Sequence, residues 1–356
     1  MNDVQRGKCG LRNGGGAWVE WGMPKDKRDR KDVKDVKDVK DVKDLRDVYT
    51  LADLRDWSAA TAGVTPPIRL SVFGDPVAHS RSPQMHNPAL QAAGIDAAYA
   101  RLHVLPEELA EALRLLPRHA FIGTNVTIPH KAAALALMDE VDPQARRAGG
   151  VNTVVIDGEK LVGFSTDGPG LVRAIRADFG FDLRDLRVLI LGAGGGAGRA
   201  IAVQCAIDGC ERLVLVNRTF ERAQALAAEL APSLRATRST GPMTRLEAIP
   251  WEAAALARQL SHVDLIINAT PLGMASAARE FRQVSPIPAS LLRPNHLVYD
   301  TVYTSGRTPL LLAADEAGAR GADGLSMLLH QGALSFEIWF GRPAPLEVMR
   351  AALLAG

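Results

Sequence analysis

Four short polar clusters carry residue types suited to acid–base and anion-binding chemistry. His79-Ser80-Arg81-Ser82-Pro83 stands after one apolar run and opens another. Its two hydroxyls, one residue apart beside the free amides of a helix start, would receive a carboxylate; an N-cap at Ser82 is the plainer reading, and both can hold together. In Asn125-Val126-Thr127-Ile128-Pro129-His130-Lys131 the residue of interest is the lysine. A lysine in a cleft moves protons when its neighbours tune it, or orients an oxygen by hydrogen bonding, although most lysines at helix starts are simply solvated. Ser165-Thr166-Asp167-Gly168 supplies an aspartate that would hold Lys131, against the alternative of a turn or helix cap. Asp300 to Thr308, with Tyr303, and Gln331 add further donors. Taken singly, no cluster outweighs its structural reading.

A fifth stretch, Arg187 to Arg199, reads RVLILGAGGGAGR. Val188 to Leu191 suits a strand buried on both faces of a parallel sheet. Gly192, Gly194 and Ala197 then fill the places of a G-x-G-x-x-G/A fingerprint, with Ala193, Gly195 and Gly196 completing the turn. Glycines serve there because the chain turns sharply, its backbone approaches a pyrophosphate and the next helix packs closely on the strand. A second apolar run, Leu213 to Val216, ends in Asn217, Arg218 and Thr219, with Arg222 beyond. A carboxylate at this place would hold a ribose 2'-hydroxyl, whereas a neutral amide and two guanidinium groups suit a 2'-phosphate, so NADP is expected over NAD.

The elements that must position these groups follow an alternating pattern from Ile68. Strands are expected at Arg69–Phe73, Ala97–Val104 and Phe121–Thr127, and helices at Pro83–Ala93, Pro106–Leu116 and Lys131–Met138. Asp157-Gly158 between two apolar runs predicts a hairpin. A helix Leu171–Phe179 leads into a second β-α-β series with strands at Asp264–Asn268 and His296–Asp300 and helices at Phe220–Leu230, Thr308–Gly318 and Ser326–Phe340. The expected fold class is α/β, with two α/β domains: a substrate-binding and catalytic domain over 67–170 and a Rossmann-type NADP domain over 171–325. Helices over 326–356 would return to the first domain. Residues 1–66 read as a low-complexity extension, disordered or weakly helical, because the Lys-Asp-Val repeat between Lys31 and Val48 has a period of three that lines no helix or strand face. Deleting residues 1–60 is therefore expected to leave activity and cooperative unfolding unchanged.

With 356 residues, 47% hydrophobic and 23% charged, the chain has the composition of a globular enzyme. A formal charge of +2 is too small to suggest a nucleic-acid partner. No apolar run reaches the roughly 18 to 20 residues of a membrane helix, and no signal-peptide core is apparent. Cys9, Cys205 and Cys210 form neither a disulfide framework nor a metal-ligand spacing, so a cytoplasmic location and no metal are expected. The sequence leaves the oligomeric state open, a homodimer being compatible with it.

Considered together, the clusters identify a family. From about Leu70 to Pro343 the chain resembles shikimate dehydrogenase, through the serine pair of HSRSP, NVTIPHK, GGVNT at Gly149–Thr153, STDG, GAGGGA, VNRT, INATPLGM, DTVY and GADGLSMLLHQGA. The resemblance implies NADPH-dependent reduction of 3-dehydroshikimate to shikimate on the way to the aromatic amino acids. It implies Lys131 and Asp167 as the catalytic pair. It further implies Ser80, Ser82 and Tyr303 at the substrate carboxylate, and Thr127, Asn152 and Gln331 at the ring hydroxyls. Ser165 departs from the family's usual Asn, and Ser305 from a frequent Pro. Two rivals remain: a quinate or quinate/shikimate dehydrogenase using NAD, and a non-catalytic NADP-binding sensor or scaffold.

Overall fold

Alternate side chains of the N-terminal strands enter two different cores, which explains why these segments are apolar on both faces. Phe73, Ala98, Ala100 and Leu102 pack with Leu109, Leu113 and Leu116 on one side. Leu70, Val72 and Tyr99 pack with Met85, Leu90 and Phe336 on the other. The computed structural model describes residues 42–235, 245–274 and 282–355. Residues 1–41, which carry the polar Gly run and most of the Lys-Asp-Val repeat, lie outside the described residues.

The first sheet comprises β1 (Tyr49–Thr50), β2 (Ile68–Gly74), β3 (Ala98–His103), β4 (Gly123–Val126), β5 (Glu140–Val141), β6 (Thr153–Asp157) and β7 (Lys160–Phe164). Their order is β1-β3-β2-β4-β6-β7-β5. The pairs β1/β3, β3/β2 and β2/β4 are parallel, and the β6–β7 hairpin closes at Gly158. The chain leaves β2 for β3 on one side and later returns as β4 on the other. The switch in direction lies between β2 and β4, and sheets of this kind hold their ligands beyond the C-terminal ends of the strands at such a point.

The domain boundary expected at residue 66 requires correction. Tyr49, Leu51, Leu54 and Trp57 are buried in the same core as Phe73 and Leu102. Tyr49 and Trp57 meet edge to face at 5.1 Å. Helix Leu51–Arg55 carries a reciprocal cap between Thr50 and Asp53. The period-three repeat ends at Val48, and the apolar positions that follow do line one face. The folded lobe thus begins well before residue 67, and loss of residues 1–60 would remove part of its core.

The second sheet comprises β8 (Arg187–Leu191), β9 (Arg212–Asn217), β10 (Leu246–Pro250), β11 (Leu265–Asn268), β12 (Leu297–Asp300) and β13 (Arg320–Ala322), in the order β10-β9-β8-β11-β12-β13. All neighbours are parallel. Counted from β8 this is the 3-2-1-4-5-6 arrangement of a dinucleotide fold. Val188 and Ile190 face Ile201 and Cys205, while Leu189 and Leu191 face Leu256 and Leu310. The chain is therefore built of two α/β lobes. Helix Gly324–Phe340 serves both: its Met327 lies in the second lobe's core, and its Leu329, Ala333 and Phe336 lie in the first.

Candidate active site

Lys131 is the first residue of helix Lys131–Leu137, just past β4, and Asp167 is the first residue of helix Asp167–Phe179, just past β7. That second helix starts four residues earlier than its sequence suggests. Gly168-Pro169-Gly170 reads as a break, but a proline is tolerated in a first turn, where its amide would be unpaired anyway. Gly170 has a different purpose: a β-carbon there would come within 2.8 Å of the Gln331 backbone nitrogen. The two helices approach closely at this point, which brings Gln331 beside Asn152, the aspartate's partner.

The Lys131 Nζ donates to Asp167 Oδ2 at 2.6 Å. The lysine side chain is 20% exposed and the aspartate 8%, so the lysine presents the open side of the pair. Asn152 Nδ2 lies 3.0 Å from Asp167 Oδ1, 2.9 Å from Thr166 Oγ1 and 3.3 Å from Gln331 Oε1; its two hydrogens serve two of these at a time. The carboxylate is thus held through both oxygens. Sequence reasoning missed the layer beneath. Asn125 Nδ2 lies within 3.1 Å of Asn152 O, Thr153 Oγ1 and Ser335 Oγ, and Asn125 Oδ1 accepts from the Tyr99 hydroxyl at 2.7 Å. Burial pushes the Tyr99 phenol well above its ordinary value, so it remains a donor. The available signal was an asparagine inside an apolar strand, a placement that demands partners.

Ser80 Oγ donates to Ser82 Oγ at 3.2 Å, so the serine pair is assembled. Ser82 is not the N-cap: it is the first helical residue, and its amide points to Ser80 Oγ at 3.4 Å. Thr127 is half-buried at the end of β4, its methyl against Gly74. Tyr303 is half-buried; burial raises its phenol, with Arg81 opposing. Asp300, from the same cluster, is buried and structural. It accepts from Asn268 Nδ2 at 2.8 Å, from Thr308 Oγ1 at 2.6 Å and from the Val302 amide, fixing the loop that carries Tyr303.

In the second lobe, Gly192 adopts φ +82°, and a β-carbon there would sit 2.9 Å from Ala269 O. The place for close helix–strand packing belongs to Gly198 rather than Ala197: a β-carbon on Gly198 would lie 2.2 Å from Gly192 O. Gly195 and Gly196 are exposed at the start of helix Gly196–Asp208, and the space around a Gly196 β-carbon is empty to 4 Å. Gly194 abuts Arg222 Cβ and Asn217, and Asn217 Nδ2 donates to Thr219 O at 3.0 Å. Arg218 and Arg222 are exposed, and neither guanidinium has a partner among the described residues. A phosphate-lined ligand fits this cradle: open amides at a helix start, with two free guanidinium groups beside them. Among the described residues no cluster of three or more His, Cys, Asp or Glu could hold a metal ion, and no helix is long and apolar enough to cross a membrane.

Arg199, one residue beyond Gly198, joins the lobes. Its Nε donates to Ala148 O at 3.1 Å and its Nη2 to Arg147 O at 3.2 Å, while Glu229 holds its other face. The cofactor-type turn is thereby tied to the segment that leads to Asn152.

Three family models match in succession: shikimate dehydrogenase substrate binding domain over residues 72–154, shikimate/quinate 5-dehydrogenase over 174–275, and shikimate 5'-dehydrogenase C-terminal domain over 324–354. The chain is 40% identical over 282 residues to the shikimate dehydrogenase (NADP(+)) of Desulforamulus reducens, covering 79% of this chain and 93% of that protein. The chain belongs to the shikimate/quinate dehydrogenase family. A solved shikimate dehydrogenase from Thermus thermophilus, in complex with NADP(H) and shikimate, superposes with a TM-score of 0.70 at 38% identity, covering 81% of this chain and 99% of that one. A quinate dehydrogenase from Corynebacterium glutamicum in complex with NAD superposes with a TM-score of 0.69 at 30% identity, covering 82% and 99%. Membership in this shikimate dehydrogenase family makes the protein an oxidoreductase that uses a nicotinamide cofactor on a shikimate-like substrate. Its second lobe is the cofactor lobe and its first the substrate lobe.

Proposed function

We propose that the protein catalyses the reversible, NADPH-dependent reduction of 3-dehydroshikimate to shikimate, with Lys131 and Asp167 as the catalytic pair. The observation that carries this reading is the Lys131–Asp167 contact at 2.6 Å, with Asn152 holding the other carboxylate oxygen. Ser80 and Ser82, with Tyr303, receive the substrate carboxylate; Thr127, Asn152 and Gln331 read the ring hydroxyls. A rigid polyhydroxylated acid needs its anion fixed at one end and each hydroxyl met at the other, because groups left unpaired by a poorer analogue penalise it.

NADPH, when bound at Gly192–Ala197 with Asn217, Arg218, Thr219 and Arg222 around its 2'-phosphate, supplies the hydride. As the ketone oxygen gains negative charge, Lys131 Nζ donates a hydrogen bond to it and then a proton. Asp167 holds the ammonium in place and balances its charge. In the reverse direction Lys131 takes the proton from the shikimate hydroxyl.

The guanidinium groups of Arg218 and Arg222 support NADP over NAD, since an exposed pair without a carboxylate partner among the described residues favours an added phosphate. Initial rates of the purified protein with shikimate or quinate, each with NADP+ or NAD+, test the proposal. Shikimate with NADP+ is expected to give the highest kcat/KM. Quinate with NAD+ as the faster combination would replace this reading with the catabolic one, and no turnover with any pair would support a sensor.

A further inference from the structure

The segment 42–60 precedes the region that the substrate-domain model covers, which begins at residue 72. It nevertheless reaches the serine loop through one side chain. Arg101, in β3, shares a sheet face with Tyr99 and lies in register with Val72 of β2. Its Nε donates to Ser80 O at 2.9 Å. Its Nη1 donates to Asp47 Oδ1 at 3.0 Å and lies 3.5 Å from Asp47 O. The Arg101 side chain is 14% exposed, whereas that of Asp47 is 81% exposed.

An exposed ion pair by itself contributes little to stability. This one has a different consequence, because a planar guanidinium bound along two edges loses most of its freedom and so fixes the direction of the Nε–H that holds Ser80. Asp47 is itself anchored by the chain that follows: β1 pairs with β3 from Tyr49, and Tyr49, Leu51 and Leu54 are buried. The remainder of the loop is held from elsewhere. Ser80 N donates to Val77 O, and Arg81 Nη2 donates to Leu353 O at 2.6 Å. Only Arg101 grips the Ser80 carbonyl among the described residues, and the Ser80 hydroxyl is half of the proposed carboxylate receptor.

We infer that Arg101 is a positioning residue for the substrate carboxylate, and that the N-terminal segment, through Asp47, completes the device. The inference rests on the reading of Ser80 and Ser82 as the carboxylate receptor. It assigns to the segment outside the family match a role in substrate recognition rather than in stability alone.

The test compares full-length Arg101→Gln, Asp47→Asn, the double variant and a Ser80→Ala/Ser82→Ala control. The readouts are KM for shikimate, KM for NADP+, melting temperature, and the kcat/KM preference for shikimate over its methyl ester, which lacks the charged carboxylate. Arg101→Gln is expected to raise KM for shikimate about tenfold, the effect of one lost charge-assisted contact. Asp47→Asn should raise it by a few fold and add nothing in the Arg101→Gln background. In both, the preference for the acid over the ester falls, while KM for NADP+ stays at the parent value. Should Arg101→Gln fold poorly, Asp47→Asn at the exposed partner carries the test. Two results overturn the inference while leaving the serine reading intact. One is that the serine control lowers the acid preference and the Asp47 and Arg101 variants do not. The other is that these variants lower melting temperature and disturb both Michaelis constants without moving the acid preference. If the serine control itself leaves KM and acid preference unchanged, the carboxylate reading falls and the inference falls with it.

Discussion

The two lobes build their ends of the candidate active site by different means. In the substrate lobe the site is made of side chains that bond to one another across long stretches of chain: Asn125 to Ser335, Asn152 to Asp167 and Gln331, Tyr99 to Asn125. Most of these groups are buried, so each partner is needed to offset the loss of water. In the cofactor lobe the site is made of backbone and space: Gly192 and Gly198 where no β-carbon fits, open amides at a helix start, and two exposed arginines without a partner among the described residues. Substitutions in the first region should therefore disturb several functions together. Those at the rim of the second should alter cofactor choice and little else.

The largest expected effect is at the centre of the interlocked site. Asp167→Asn removes the charge facing Lys131 while preserving an oxygen for Asn152, and kcat should fall by roughly 10²- to 10⁴-fold, the range for a displaced acid–base group. Steady-state kinetics check it; an undiminished kcat would show that the aspartate is only a helix start. Next comes the substrate-lobe core that the N-terminal segment completes. Leu54→Ala should cost about 2–5 kcal/mol in denaturant unfolding, whereas a change below about 0.5 kcal/mol would mean that the segment does not dock.

At the cofactor rim, Arg218→Ala should raise KM for NADPH by the equivalent of ~1.5–3 kcal/mol and leave KM for NADH almost unaltered. Because Arg222 lies nearby, the double variant is the stricter measurement. A double variant that still prefers NADPH as strongly as the parent would place 2'-phosphate recognition elsewhere.

The smallest effect concerns His86, which stacks on Tyr99 at 4.5 Å and has no hydrogen-bond partner among the described residues. Burial lowers its pKa to about 3, against about 6.5 for a free imidazole. Between those values the unfolded chain binds a proton that the folded chain refuses. Stability is therefore present in full above about pH 6.5 and is lost as pH falls, by about 1.4 kcal/mol per unit at most. His86→Phe keeps the stacked ring without the titration, so its stability should decline less steeply from about pH 6.5 to about pH 5.5. Parallel curves for parent and variant would remove His86 from the acid response.

The same contrast explains what was legible in the sequence. The candidate cofactor turn is local, so spacing alone singled out Gly192, Gly194 and Arg218 as candidates. It misplaced the close-packing role by one residue, because Ala197 and Gly198 are both small and only the three-dimensional approach to Gly192 O separates them. In the substrate lobe the motifs carrying Lys131, Asn152 and Asp167 were visible, but not that Tyr99, Asn125 and Ser335 tie them together, since those bonds join residues up to 210 positions apart. The folded segment ahead of β2 was obscured by the repeat that runs into it, whose Val42 and Leu45 already pack against the core. Strand β10 was also missed, because Leu246–Pro250 includes a glutamate and a terminal proline and lies at the sheet edge.

The account's central claim is that Lys131 meets the oxygen that becomes negative during hydride transfer. Lys131→Ala, measured for kcat and separately for shikimate binding, tests it most directly. The expected result is a loss of at least about 10²-fold in kcat with a shikimate Kd changed by no more than a few fold, the signature of an interaction that strengthens in the transition state. Near-normal turnover in Lys131→Ala would contradict the claim and return the lysine to the role of a solvated helix start.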